Sequence, residues 1–227
     1  MEDDAARAPE RLTDDALVVD RSPLPDGIEG RLRRQLTFVA EADRLKTILR
    51  ASPLAAADRR ENDAEHSWHL ALMVVLLAEH ADEPIDVGHA VQLVIVHDLV
   101  EIYAGDSPVF DAQAVATQAE RERAAADRLF SLLPDVQAAL VRGLWDEFEA
   151  GRTPEARFCK AMDRLQPMML NWLNHGGTWQ MPGANETTVR AREAGVVAAS
   201  TSLGDAVGLL MEQGLERGWI RPDPTLP

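Results

Sequence analysis

The stretch Val94-Ile95-Val96-His97-Asp98-Leu99-Val100-Glu101 decides how this chain is read. A histidine and an aspartate stand side by side in an otherwise apolar run, where neither has a solvent-facing reason to be. Burying such a pair is costly unless a partner meets it. A divalent cation meets both side chains at once, because imidazole and carboxylate are natural donors for Mn, Fe, Co, Ni or Zn. Helical spacing then brings in Glu101, i+4 from His97 and i+3 from Asp98, so its carboxylate points to the same region. Asp106 follows Gly105 just past the helix end, where a turn can aim it back.

Upstream, Asn62-Asp63-Ala64-Glu65 has the form of a capping box before an apolar-periodic run, which predicts a helix from there to about residue 79. His66 and His69 share one face of it. Downstream, Asp163 in Phe158-Cys159-Lys160-Ala161-Met162-Asp163-Arg164-Leu165 is again an acid on a mostly apolar helix. It is the third acid that a four-ligand site with water needs. Cys159, one turn before it, reads as a buried and inert thiol.

The rest of the chain is helical by periodicity. Leu32, Leu36, Val39 and Ala40, then Leu45, Ile48 and Leu49, predict a first helix ended by Pro53 and an Ala-rich loop. Further helices are expected from about 86 to before Gly105, over 112–133, over 136–149, over 154–175 with Pro154 in the first turn, and over 187–214. No strand-like alternation persists, although Val94–Val96 is locally ambiguous. The expectation is an all-α bundle of six to seven helices in one domain, residues 31–216, with a mobile arm at 1–30 and a tail at 217–227.

Composition narrows the function classes. Of 227 residues, 46% are hydrophobic and 27% charged, which excludes wholesale disorder. Lys and Arg number 23 against 38 Asp and Glu, a net charge of −15, so a polyphosphate backbone is an unsuitable partner. A single cysteine excludes an intrachain disulfide and a cysteine-built zinc cage. The longest apolar run, around 71–78, is too short to span a bilayer. A soluble, cytoplasmic protein with no membrane or nucleic-acid partner is expected.

His66…His97-Asp98…Asp163 resembles the H…HD…D signature of HD-domain metal-dependent phosphohydrolases, closest to the bacterial 5′-deoxynucleotidase branch and the related HD-domain-containing-2 family. The segments Glu65-His66-Ser67-Trp68-His69, His97-Asp98-Leu99-Val100-Glu101-Ile102-Tyr103-Ala104-Gly105-Asp106 and Lys160-Ala161-Met162-Asp163 carry the likeness. So does Leu132-Leu133-Pro134…Leu144-Trp145-Asp146-Glu147-Phe148, and the whole covers roughly residues 32–173. The resemblance implies one divalent metal ion (Mn, Co, Fe, Ni, Zn or Mg) on His66, His97, Asp98 and Asp163, with Glu101 and Asp106 as catalytic acids. It also implies a nucleotide substrate, removal of a 5′-phosphate, and a homodimer. The family grips the phosphate with an Arg-Trp pair, whereas this chain reads Arg50-Ala51-Ser52. Arg50 is therefore the expected phosphate contact, with Arg59 or Arg60 as substitutes, and the lost aromatic predicts weaker discrimination between deoxyribose and ribose.

Three other readings fit less well. Alarmone hydrolases of this kind carry a Glu-Asp pair where Glu101 is followed here by Ile102, and the Gly-Tyr-Pro motif of cyclic-dinucleotide enzymes is absent. A non-catalytic metal-binding module has no need of Glu101 and Asp106 together.

Overall fold

The computed structural model describes residues 24–105 and 112–223. Among them the α-helices are α1 (Gly30–Ala42), α2 (Asp63–Leu77), α3 (Val87–Val96), α4 (Glu101–Ala104), α5 (Ala112–Phe130), α6 (Asp135–Ala150), α7 (Pro154–Leu173), α8 (Glu186–Val197) and α9 (Thr201–Glu216). The all-α class holds. The only sheet among the described residues is an antiparallel hairpin of β1 (Leu49–Pro53) and β2 (Arg60–Asn62).

Helices α2, α3 and α7 pack on one another and form the centre, with α6 against α3 and α7, and α8 and α9 against α7. Their inward stripes supply the core: Leu70 and Val74, Leu93 and Val94, Phe158 and Met162, all essentially removed from water. The sequence signals that start these helices act as read. Asn62 accepts from the Glu65 amide at 3.0 Å, and the Glu65 carboxylate accepts from the Asn62 amide at 3.2 Å. Thr153 caps α7 ahead of Pro154.

Three expectations need correction. The first helix does not run through Leu45, Ile48 and Leu49: α1 ends at Ala42, a 3₁₀ turn spans Asp43–Thr47, and the chain becomes β1. The reason is tertiary. The Ile48 carbonyl takes the Asp63 amide at 3.1 Å, one of the N-terminal donors of α2 that lacks an intrahelical partner, so the chain pairs with 60–62 rather than coiling on. The helix over 86–104 is also interrupted. After His97 the bonds tighten to i→i−3, Leu99 to Val96, Glu101 to Asp98 and Ile102 to Leu99. At three residues per turn, positions 98 and 101 eclipse.

The last helix is two helices. Ser200 caps α9 by accepting from the Leu203 amide at 3.2 Å, and Gly204 lets the turn fold tightly, since a Cβ there would lie 2.9 Å from the Val197 Cα. The same turn is fastened to the loop between α2 and α3. The Ser200 hydroxyl donates to the His80 carbonyl at 2.6 Å, and the Asp82 carboxylate accepts from the Thr201 amide and hydroxyl. Beyond α9, Ile220 is fully buried and Arg221 donates to the Gln180 and Met181 carbonyls, which tucks the end of the described chain against α8.

Candidate metal centre

Three helices each deliver part of the site. The capping box fixes the entry of α2, so Asp63 and His66, one turn apart, both face inward and are fully buried. The tightened turn after α3 delivers His97, Asp98 and Glu101, all buried. Helix α7 delivers Asp163 and, one turn on, the fully buried Gln166.

His66 Nε2 lies 3.0 Å from Asp163 Oδ1 and 4.0 Å from Asp98 Oδ2, and His97 Nε2 lies 3.0 Å from Asp98 Oδ2. The donor atoms of His66, His97 and Asp98 fall within 4.8 Å of one another. Asp63, Asp98 and Glu101 form a second such group. Both imidazoles are oriented from behind. His97 Nδ1 donates to the Val94 carbonyl at 2.8 Å, and His66 Nδ1 donates to Gln166 Oε1 at 3.2 Å. Gln166 Nε2 donates in turn to Glu61 Oε1 at 2.6 Å and to His69 Nδ1 at 3.2 Å.

This backing turns each Nε2 toward carboxylates, and that of His66, while it keeps its proton, donates to Asp163 Oδ1 at 3.0 Å. His97 Nε2 is buried and meets no hydrogen-bonding geometry, despite the Asp98 oxygen beside it. Once His66 gives up its proton, both Nε2 lone pairs face carboxylate oxygens, and the donor set of two imidazoles and carboxylates suits a divalent metal that takes the proton's place. The residues present fit that group.

Arg50, on β1, is the counter-charge. Its Nη1 lies 2.8 Å from Asp98 and 3.5 Å from Asp63, its Nη2 3.8 Å from Asp163, and its Nε 3.9 Å from Glu61. Arg59 instead holds Glu65 at the surface, at 2.6 and 2.8 Å, and Arg60 is exposed, so neither takes the place of Arg50.

Electrostatics divide the acids. Burial, with the Asp98 and Asp63 carboxylates nearby, pushes Glu101 up to about 12, so it carries a proton at neutral pH and shares a hydrogen bond with Asp63. Burial also opposes ionisation of Asp98 and Asp163, but it is outweighed. His97 and Arg50 hold Asp98 below the usual carboxylate range, and His66 holds Asp163 there. For His66 burial and Arg50 oppose the proton, yet Asp163, Glu61 and Asp98 raise the imidazole to about 9.

His66, His97, Asp98, Asp163, Glu101 and Arg50 are thus brought together, while Asp106 lies outside the described residues. His69 turns away to back Gln166. Cys159 is fully buried, its Sγ 3.3 Å from the Ala90 carbonyl, and burial pushes the thiol up to about 12. Glu61, Asp63 and Gln166 escaped the sequence reading. Asp63 and Gln166 sit i−3 from His66 and i+3 from Asp163, and that spacing is the signal that could have found them.

Comparison with known proteins supplies the family. Residues 42–202 match the HD domain family model. A crystal structure described as a predicted metal-dependent phosphohydrolase from Magnetospirillum magnetotacticum is 46% identical, with a TM-score of 0.82 over 88% of this chain and 100% of that one. The 5′-deoxynucleotidase HDDC2 of Xenopus laevis is 30% identical over 149 residues, 65% of this chain and 72% of that protein. Its human counterpart is 26% identical over 138 residues, 60% of this chain and just under two thirds (66%) of that protein. With the family model spanning more than half its length, the chain belongs to the HD domain family, and it is a hydrolase that works with a divalent metal.

Proposed function

We propose that this protein removes the 5′-phosphate from nucleoside monophosphates, with His66, His97, Asp98 and Asp163 as its metal ligands. The observation that carries the reading is the paired tautomer arrangement. Two buried imidazoles are each held at Nδ1 and present Nε2 to carboxylates, with a guanidinium touching the same carboxylates. The names borne by the Magnetospirillum and Xenopus proteins support the chemistry.

A divalent cation at this centre supplies Lewis-acid polarisation of a phosphoryl oxygen and a more acidic water. The chain's own groups do the rest. Arg50 sets positive charge beside the acids, suited to a dianionic phosphate in a protein of net charge −15. Glu101, protonated at neutral pH, holds a proton between its carboxyl and Asp63 and can pass it to the departing 5′-oxygen. Asp106 is proposed as the second acid. The strand that carries Arg50 offers Ala51 and Ser52 where relatives of this kind use an aromatic, so the sugar wall is incomplete. A shaped wall rejects one added hydroxyl by only about 10²-fold, and losing part of it should bring the two sugars within roughly tenfold.

Phosphate release from a panel of nucleotides with Mn, Co, Mg and Zn tests this. AMP and dAMP should both be hydrolysed, with kcat/KM values within about tenfold of each other. No release from any nucleotide would overturn the activity, and a dAMP preference well above about a hundredfold would overturn the account of the sugar.

A further inference from the structure

The hairpin brings together two charged side chains from facing strands. Leu49 on β1 pairs with Asn62 on β2, so the next residues inward, Arg50 and Glu61, are cross-strand neighbours. Glu61 is 2% exposed, and the chemistry proposed above gives it no part. A carboxylate held so far from water calls for a reason.

Its two oxygens are placed differently. Oε1 accepts from Gln166 Nε2 at 2.6 Å, which ties the side chain to α7 and sets its direction. Oε2 makes no hydrogen bond among the described residues, yet it lies 3.5 Å from His66 Nδ1 and 3.9 Å from Arg50 Nε. One buried oxygen therefore faces the rear nitrogen of a proposed metal ligand and the rear N–H of the proposed phosphate contact. The guanidinium is a rigid planar fork. Its Nη1 and Nη2 face Asp98, Asp63 and Asp163, so a carboxylate at Nε fixes the plane of the fork without occupying either Nη. A carboxylate behind an imidazole likewise fixes the ring and raises the basicity of the nitrogen that faces the metal.

We infer that Glu61 is a positioning residue for both halves of the centre, its Oε2 holding Arg50 at Nε for the phosphate and backing His66 at Nδ1 for the metal. The role rests on the reading in which Arg50 grips the phosphate and His66 binds the metal, and it adds the one residue on which both depend. Glu61 itself touches neither substrate nor metal. Its charge acts through these two side chains.

A double-mutant cycle tests this, because lysine keeps the charge of Arg50 but has no Nε–H at that place. Cobalt affinity is read by competition with a chromophoric chelator. Phosphate affinity is read by calorimetric titration of inorganic phosphate into the cobalt-loaded protein. Glu61→Gln, close to the parent in volume, should weaken phosphate about tenfold where residue 50 is arginine, and less than about threefold in the Arg50→Lys background. Cobalt affinity should fall about tenfold or more in both backgrounds, since the contact with His66 does not involve residue 50. Glu61→Asp keeps a buried charge and withdraws it from both partners by one methylene, so it should show the same dependence on residue 50 even if Glu61→Gln folds poorly. A residue that merely held the hairpin to α7 would move phosphate affinity equally in both backgrounds. Equal phosphate losses in the two backgrounds, or none in either, would overturn the inference, and unchanged cobalt affinity would overturn the part played at His66. Binding that follows the expected pattern in a parent that hydrolyses no nucleotide would instead sink the activity and leave the positioning role standing.

Discussion

Replacing Gln166 by Met is the sharpest probe of how the centre is built. The side chain is fully buried, and methionine nearly matches its volume, so the cavity contribution is small. The polar loss is not. The His66 Nδ1 donor loses its acceptor at 3.2 Å, and Glu61 Oε1 loses its donor at 2.6 Å. A buried group left without its partner costs about 1–3 kcal/mol, so two of them put the loss of folding free energy at about 3 kcal/mol. His66 would also be free to turn toward Glu61 Oε2, 3.5 Å from Nδ1, and Nε2 would swing off its line to Asp163. Loss of such an orienting partner typically weakens metal binding about 10–100-fold. Urea unfolding of chelated protein reads the first quantity, and competition with a chromophoric chelator reads the second. Stability within about 0.5 kcal/mol of the parent, as for an ordinary surface substitution, together with unchanged metal affinity, would refute the reasoning.

Three further outcomes follow from the same geometry. Because Glu101 is already neutral at pH 7, Glu101→Gln should keep the fold and the metal while lowering kcat by about 10²–10⁴, and a rate within a few-fold of the parent would remove Glu101 from the chemistry. His66 in chelated protein holds a proton up to about pH 9, above its usual 6.5, so metal must displace that proton. Metal affinity should therefore rise about tenfold per pH unit toward pH 9 and then flatten, and the part of chelated-protein stability due to this proton, complete below pH 6.5, should fade as pH rises through about 9. A pH-independent metal affinity between 6.5 and 9 would contradict the assignment of that proton. Cys159, buried with its thiol pushed up to about 12, should stay unlabelled by a thiol reagent in native protein and react only on unfolding, and rapid native labelling would contradict that burial.

The parts of this molecule legible in the sequence are those where one residue's chemistry contradicts its neighbours. His97 and Asp98 stand out because Val94, Val96, Leu99 and Val100 around them are apolar and buried. Asp163 stands out on α7 in the same way. Glu61 and Asp63 did not, since an acid beside a capping box is explained locally by the first turn of a helix, and only the fold shows that these two turn inward. The hairpin was illegible for a related reason. Leu45, Ile48 and Leu49 keep helical spacing, and what breaks it is pairing with residues 60–62, which a local pattern does not contain. The break at Ser200 carried its cap, but inside a run of helix-compatible alanines and valines one serine is weak punctuation. The meeting of Arg50 with Asp98, Asp63, Asp163 and Glu61 joins β1 to its partner strand, to α2 and α7, and to the turn after α3, and no spacing rule encodes it.

The bonds from Ser200 and Thr201 to His80 and Asp82 span about 120 positions of chain. Contacts of that separation form late, because the loop they close must first lose its freedom. Helices α2 and α3 are neighbours in sequence and can meet early, but the loop joining them has its carbonyl and carboxylate left to water until the turn before α9 arrives. During synthesis that turn leaves the ribosome only after every proposed metal ligand, the last of them Asp163. The α8–α9 corner therefore acts as a clasp on the order of folding: a chain halted before residue 199 possesses every proposed metal ligand, yet its helical core remains open at one end.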